Sequence, residues 1–362
     1  VTSIVLAGGG TAGHTSPLIA TAKALQAAGV EEVVAVGTHR GLEVRVVPEA
    51  GLPLELITPV PLPRKVEPAL FALPYTLTRS VLEARRVLRK ARADAVVGFG
   101  GYVSIPVYLA AFSMRVPVIV HEANKLPGIA NKIGARRAAF VGTTFDTPMP
   151  GNPRIVGMPM DRRITHPTIT RAEARAQFGL APTGPVLLVS GGSQGAVAIN
   201  GALRDARDEI LAAGIQILHV LGPKNMSDEH VGVVADSGAR YVPVAFVSDM
   251  AAAYAAADLM VGRAGAGTVM ETAVSGLPVI FVPLPWGNGE QGRNAAALVE
   301  AGGGVLLPES ELTGASLRAR VLELCSDDGR LESMSAVARA MYPADAAEVM
   351  ARAVLDVVRR KG

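Results

Sequence analysis

Apolar residues along this chain fall into two alternating patterns. Short runs that are apolar almost throughout, Ser3–Ala7, Glu32–Val36, Ala95–Phe99, Val116–Val120 and Ala138–Thr143, are separated by longer stretches with helical spacing, the first reaching Ala28. A run too short for a helix and without in-out alternation predicts a strand buried on both faces, whereas the longer stretches predict amphipathic helices. Strands and helices in alternation predict a parallel sheet covered on both sides.

Residues 143–169 break the pattern with prolines at 148, 150, 153, 159 and 167, which predicts a linker. Thr170 followed three positions later by Glu173 is a capping-box signature and opens a helix ending near Gly179. A second series of strands follows at Val186–Val189, Gln216–Leu221, Tyr241–Phe246, Leu259–Gly262, Val279–Val282 and Val305–Leu307, mostly with helical segments between them. Both halves open with a strand, a glycine-rich loop and a helix. The expected fold class is therefore α/β, with two Rossmann-like domains, residues 1–160 and 161–342, whose parallel sheets face each other across a cleft. A last helical pattern, Ala344–Arg360, comes after Tyr342-Pro343, where proline restricts the preceding residue. Residues 343–362 are expected to pack back on the first domain.

Composition agrees with this picture and narrows it. A length of 362 residues suits two domains, each able to bury its own core. The longest apolar stretch, Tyr102–Val120, is interrupted by Pro106, Arg115 and Pro117, whereas a bilayer span needs about 20 largely uninterrupted apolar residues. No transmembrane helix is expected. The first strand follows no basic segment and no separate apolar segment, so a cytoplasmic location is expected. The single cysteine, Cys325, excludes an intrachain disulfide. A net charge of +3 argues against a general nucleic-acid binder, but residues 64–92 carry eight basic side chains against Glu67 and Glu83. Within that segment Leu77, Val81, Ala84, Leu88 and Ala91 form a helical stripe with arginines on other faces.

The first strand runs into "GGGTAGH", where Gly8, Gly10 and Gly13 match G-x-G-x-x-G. A dinucleotide site of the NAD type needs an acidic residue at the end of the second strand to hold the ribose hydroxyls. That strand ends Val36-Gly37-Thr38, and the following His39-Arg40 suits only a phosphorylated ribose, which leaves an NADP-dependent oxidoreductase as an alternative. The chain has three further glycine-rich turns at strand ends: Gly98–Gly101, Gly191–Gly195 and Gly265–Gly267. Glycines there let backbone N–H groups approach an anion at a helix N-terminus. Four such turns exceed what one dinucleotide requires and point to two phosphate-bearing ligands, one per domain.

The set "GGGTAGH", "GFGGYVS", "HEANKLPGIANK", "GGSQGA", "RAGAGTVMETAVSGLPVIFVPLP" and "EQGRNA", in order and at family spacing up to about residue 300, closely resembles the bacterial MurG family. The resemblance implies a GT-B fold and transfer of N-acetylglucosamine from its UDP donor to the lipid-linked muramyl-pentapeptide of peptidoglycan synthesis. It also implies a peripheral enzyme on the cytoplasmic face of an anionic membrane, which gives the basic helix a use. Other UDP-sugar enzymes, such as a glycolipid glycosyltransferase or a UDP-N-acetylglucosamine epimerase, share the nucleotide-binding half; "GGGTAGH" and "GFGGYVS" favour the first reading.

The chain has no D-x-D motif to hold a metal on the diphosphate, so no metal or other cofactor is expected, and backbone amides and helix dipoles are left to stabilise the leaving group. His14, directly after the first glycine loop, is the candidate general base, because imidazole is suited to proton transfer near neutral pH. His121 and Glu122 end a strand as structural or supporting residues. By resemblance Thr11, Ala12 and Gly13 lie against the sugar-diphosphate and Asn124 contacts the donor. In the second domain Ser193 is placed near the phosphates, and Val247 presents the backbone that reads uracil, with Phe246 beside it. Ala266, Gly267, Thr268, Val269 and Met270 begin a helix that meets phosphate. Glu271 grips the ribose hydroxyls and Gln291 reads the hexose. The family's linker arginine is displaced by one position in Gly157-Met158-Pro159-Met160-Asp161-Arg162, so Arg162 takes its place in this reading.

Overall fold

The computed structural model describes residues 1–60, 69–286 and 289–361. It divides into two compact units: Val1–Asp161 together with the chain from Ala344 onward, and Arg162–Pro343.

In the first unit the chain runs β1 (Ser3–Gly8), α1 (Ala12–Ala27), β2 (Glu32–Thr38), α2 (Glu43–Glu49), β3 (Leu54–Ile57), α3 (Ala69–Lys90), β4 (Ala95–Gly100), α4 (Ser104–Ser113), β5 (Val118–Glu122), α5 (Ile129–Ala135), β6 (Phe140–Thr143) and β7 (Arg154–Ile155). The strands form one parallel sheet in the order β3-β2-β1-β4-β5-β6-β7. Every residue of β1, β4 and β5 is buried, which is why these runs show no alternation. β3 and β7 were not expected. β3 has four residues, three of them only partly buried, and the two residues of β7 are exposed within the proline-rich segment, so neither leaves an apolar run to detect.

The second unit contains α6 (Arg162–Thr165), α7 (Arg171–Gln177), β8 (Val186–Ser190), α8 (Val197–Ala212), β9 (Gln216–Val220), β10 (Val233–Val234), β11 (Arg240–Val244), α9 (Met250–Ala256), β12 (Leu259–Gly262), α10 (Ala266–Ser275), β13 (Val279–Phe281), α11 (Glu290–Glu300), β14 (Gly304–Leu306), α12 (Gly314–Cys325) and α13 (Asp328–Met341). The Thr170–Glu173 capping box forms in both directions. The sheet order is β10-β11-β9-β8-β12-β13-β14, parallel except for the β10–β11 pair. The last helix, α14 (Ala346–Lys361), returns to the first unit and packs along α1. Its Met350, Ala351 and Val354 are buried in one cluster with Ile4, Leu6 and Leu18.

The sheet topology decides where function can sit. Strand order reverses between β1 and β4 in the first sheet and between β8 and β12 in the second. Ligands of open α/β sheets bind beyond the carboxyl ends of the strands at such a reversal. The four glycine-rich turns are the segments that leave β1, β4, β8 and β12, so each unit carries two of them at its switch point.

Candidate functional site

In the first unit the loop after β1 feeds α1, whose N-cap position is held by Thr11 in an extended conformation without a side-chain capping bond. His14 lies in the first turn. Its Nδ1 stands 3.1 Å from the Gly9 carbonyl oxygen and 3.3 Å from the Thr11 hydroxyl. A carbonyl only accepts, so Nδ1 carries the proton and Nε2 keeps its lone pair. Burial pushes the His14 pKa below the ordinary imidazole value, opposed by the Gly9 carbonyl and by the charge of Glu43. The second glycine turn closes over this ring: a Cβ on Gly100 would stand 3.1 Å from Nε2. Ser104 Oγ donates to the carbonyls of Gly100, at 2.7 Å, and Ala7, at 3.1 Å, joining the ends of β1 and β4. Thr11 and Ala12 are exposed and Gly13 is half-buried at the rim.

One amide of the first loop is already occupied. Gly10 N–H donates to Glu43 Oε2 at 2.8 Å, so the donor that a dinucleotide reading turns toward pyrophosphate is held by the protein's own carboxylate. This removes support from the NADP alternative.

The strand end at β5 organises a neighbouring loop. His121 is fully buried with Nε2 2.9 Å from the Gly157 carbonyl, and burial pushes its pKa down to about 4. Its imidazole is therefore neutral at physiological pH. Glu122 accepts from Asn124 N–H at 2.9 Å, Gly128 N–H at 3.0 Å and Asn131 Nδ2 at 2.9 Å. Tyr108 donates its hydroxyl to Asn131 Oδ1 at 2.8 Å. Together these bonds hold the segment that carries Asn124. Tyr108 was missed from sequence, because it sits in an apolar stretch with nothing local to distinguish it from a packing residue; Asn131 lies within "HEANKLPGIANK" but was given no role there.

In the second unit Ser193 is exposed in the loop after β8. The loop after β12 leads to Gly265, the N-cap of α10. The Val269 amide donates to the Gly265 carbonyl at 3.0 Å, and the Val269 and Met270 side chains are fully buried. Neither offers a free donor, since a helix leaves unpaired only the amides of its first turn. The expected cradle Ala266–Met270 therefore contracts to Ala266, Gly267 and Thr268.

Glu271 follows on α10, and its Oε2 accepts the Tyr254 hydroxyl at 2.7 Å. Burial, then the charge of Glu271, push the Tyr254 phenol above its ordinary pKa, so it stays protonated and donates. Gln291 Oε1 accepts from the amides of Leu284, at 3.1 Å, and Ala264, at 3.3 Å. Its oxygen thus faces the backbone, and the NH2 end is the one available to a ligand. Val247 is buried beyond β11 beside an exposed Phe246. Arg162 is exposed at the start of α6. Among the described residues no group of three His, Cys, Asp or Glu side chains stands close enough to hold a metal ion.

Residues 4–143 match the glycosyltransferase family 28 N-terminal domain and residues 186–350 its C-terminal domain. The chain is 54% identical to the UDP-N-acetylglucosamine–N-acetylmuramyl-(pentapeptide) pyrophosphoryl-undecaprenol N-acetylglucosamine transferase of Cutibacterium acnes, over 98% of this chain and 97% of that one. It is 49% identical to the transferase of the same name from a Nocardioides species, over 98% of both. The crystal structure of Acinetobacter baumannii MurG superposes with a TM-score of 0.77 at 30% identity, covering 99% of this chain and all of the other. A calicheamicin glycosyltransferase, 17% identical with a TM-score of 0.71 over 99% of both chains, shares the fold. By near-full-length identity and by fold, the chain belongs to the MurG family of GT-B glycosyltransferases.

Proposed function

We propose that this enzyme transfers N-acetylglucosamine from UDP-N-acetylglucosamine to the C4 hydroxyl of a polyprenyl-linked N-acetylmuramyl-pentapeptide, with inversion at the anomeric carbon. The observation that carries the mechanism is the half-buried His14 imidazole, whose Nδ1 is held by a backbone carbonyl so that Nε2 is left to accept a proton. In this reading Nε2 takes the C4 hydroxyl proton as that oxygen bonds to the anomeric carbon. The bond from that carbon to the β-phosphate oxygen breaks, and UDP leaves with the electron pair. The first-turn amides of Ala266, Gly267 and Thr268, with Ser193 and Arg162, meet the growing diphosphate charge. Thr11, Ala12, Gly13 and Asn124 line the sugar-diphosphate. The Val247 backbone reads uracil, Glu271 the ribose and Gln291 the hexose.

With UDP-N-acetylglucosamine and a short-chain lipid-linked acceptor, the purified enzyme is expected to release one UDP per inverted glycoside formed, and to do so in the presence of a chelator. The amide cradle and the missing D-x-D motif support metal independence. Activity lost in chelator and restored by a divalent cation would overturn that part of the reading, and retention of anomeric configuration would overturn the direct attack.

The membrane surface is proposed to dock on α3. No helix among the described residues is long and apolar enough to cross a membrane. Ser80, Ala84, Val87, Leu88 and Ala91 are buried against the sheet, with Leu77 and Val81 half-buried on the same side. Tyr75, Arg79, Leu82, Arg86 and Arg89 recur at helical spacing on the opposite face, with Tyr75 73% and Leu82 50% exposed. Arg64 and Lys65 lie outside the described residues, as do the side chains of Leu70 and Phe71; Lys90 pairs with Glu55 at 2.6 Å. Two apolar side chains among arginines suit an anionic lipid surface. Changing Arg86 and Arg89 together to glutamine should weaken binding to anionic vesicles about 30-fold, at about 1 kcal/mol per charge. Turnover of a short-chain acceptor should stay unchanged. Equal vesicle binding by the variant and the parent would make this face an ordinary solvated surface.

A further inference from the structure

Glu43, the first residue of α2, is fully buried, yet it belongs to no motif by which the family is recognised here. Its carboxylate meets donors from two different segments. Oε1 accepts the Thr38 amide at 2.9 Å and the Thr38 hydroxyl at 3.1 Å, and Oε2 accepts the Gly10 amide at 2.8 Å. Among the described residues no ion pair involves it, so hydrogen bonds to backbone and hydroxyl groups compensate its burial. The surrounding sequence is cleared for it. A Cβ at Gly9, Gly37 or Gly41 would run into the Glu43 side chain, and none of the three has a positive φ. Those glycines are therefore explained by the room this carboxylate needs. Leaving it unpartnered at any of these atoms would be costly, so the loop is held where the carboxylate is satisfied.

We propose that Glu43 is a positioning residue of this site: by tying the Gly9–Gly10 turn to the end of β2, its carboxylate holds the Gly9 carbonyl against Nδ1 of His14 and so fixes which ring nitrogen carries the proton. The inference rests on the reading of His14 as the base. Many catalytic histidines are oriented by a carboxylate bonded directly to the ring. Here the carboxylate acts one peptide away, through a backbone carbonyl that can only accept.

The charge of Glu43 also acts on His14 directly. Of the elements packed against α1, β1 and β4 carry no titratable side chain, and the one on β2, Glu32, lies at the opposite end of the strand. On α2, Arg45 and Glu49 pair with each other at 3.9 Å. α14 carries Glu348, Arg352, Asp356, Arg359 and Arg360, of which Asp356 and Arg359 pair with each other. The sign follows: the charge of Glu43 raises the His14 pKa, so its removal lowers that pKa.

The test compares the pH dependence of kcat/KM in the parent, Glu43→Gln, Glu43→Asp and His14→Gln, using a short-chain acceptor. Glu43→Gln leaves one donor set facing an NH2 group and removes the charge. It should lower kcat about tenfold or more, as a loop misplaced by a fraction of an ångström does, and move the acid limb to lower pH. Glu43→Asp keeps the charge but withdraws the reach, so kcat should fall with the limb in place; it carries the test alone if the glutamine variant does not fold. A limb abolished in His14→Gln but unmoved in Glu43→Gln, or parental kcat in Glu43→Asp, overturns the inference while leaving His14 as base. A limb that survives in His14→Gln sinks the base assignment and this inference with it.

Discussion

Replacing His14 with glutamine should lower kcat by about two to four orders of magnitude and leave the affinity for UDP unchanged. Glutamine is close to histidine in length, with an amide near the position of Nε2, but it cannot accept a proton at neutral pH. The loss therefore reports proton transfer rather than collapse of the loop. Because burial pushes the His14 pKa down, the parent should stay active to lower pH than free imidazole chemistry suggests. Its kcat/KM should fall only below the ordinary imidazole pKa, as His14 becomes protonated, and the residual activity of the variant should lack that limb. The measurements are steady-state kinetics across pH and calorimetry with UDP. A His14→Gln enzyme with parental kcat would assign the base elsewhere.

The second large effect concerns the donor. Glu271→Ala should weaken UDP binding by roughly one to two orders of magnitude, since charge-assisted hydrogen bonds to ribose hydroxyls contribute about 1.5–3 kcal/mol. The Tyr254 hydroxyl on Oε2 at 2.7 Å fixes the carboxylate rotamer. Gln291→Ala should behave differently. Its oxygen already serves the Ala264 and Leu284 amides, so the substitution removes the NH2 donor proposed to read the hexose. UDP affinity should stay near the parental value while preference for N-acetylglucosamine over its C4 epimer erodes. Calorimetry with UDP followed by donor competition separates the two roles, and equal losses of UDP affinity in both variants would show the pocket to be assigned wrongly.

The contrast between His14 and His121 shows what kind of information a linear reading lacks. Both histidines follow a strand or end one, and both have one ring nitrogen on a backbone carbonyl. His121 is sealed, with its partner carbonyl Gly157 arriving from 36 positions away, whereas His14 is half-buried in the first turn of α1. Solvent exposure of a ring is a property of what packs over it, and that is supplied by distant segments. Val269 and Met270 teach the same point from the other side: motif position alone placed them against phosphate, while helical pairing and burial withdraw them.

The features readable along the chain alone are local ones. Runs such as Ile4–Ala7 and Val186–Val189 are apolar because both faces of a parallel sheet are covered, and the Thr170–Glu173 cap closes within one turn, so each could be read without knowing any partner. The glycine-rich turns at the ends of β1, β4, β8 and β12 were legible for the same reason, and the motifs that single out His14, Glu271 and Gln291 as candidates are likewise contiguous. Strand order was not. The reversals between β1 and β4 and between β8 and β12, which bring the four turns together in pairs, join segments tens of residues apart. Hydrogen bonds between separate elements likewise decided that Glu43 holds the first loop, that Tyr254 orients Glu271 and that Gln291 presents its NH2 end. A carboxylate, a phenol or an amide has the same covalent form in a core as on a surface; its role comes from which donors and acceptors remain after burial has removed water, and only the tertiary structure specifies those.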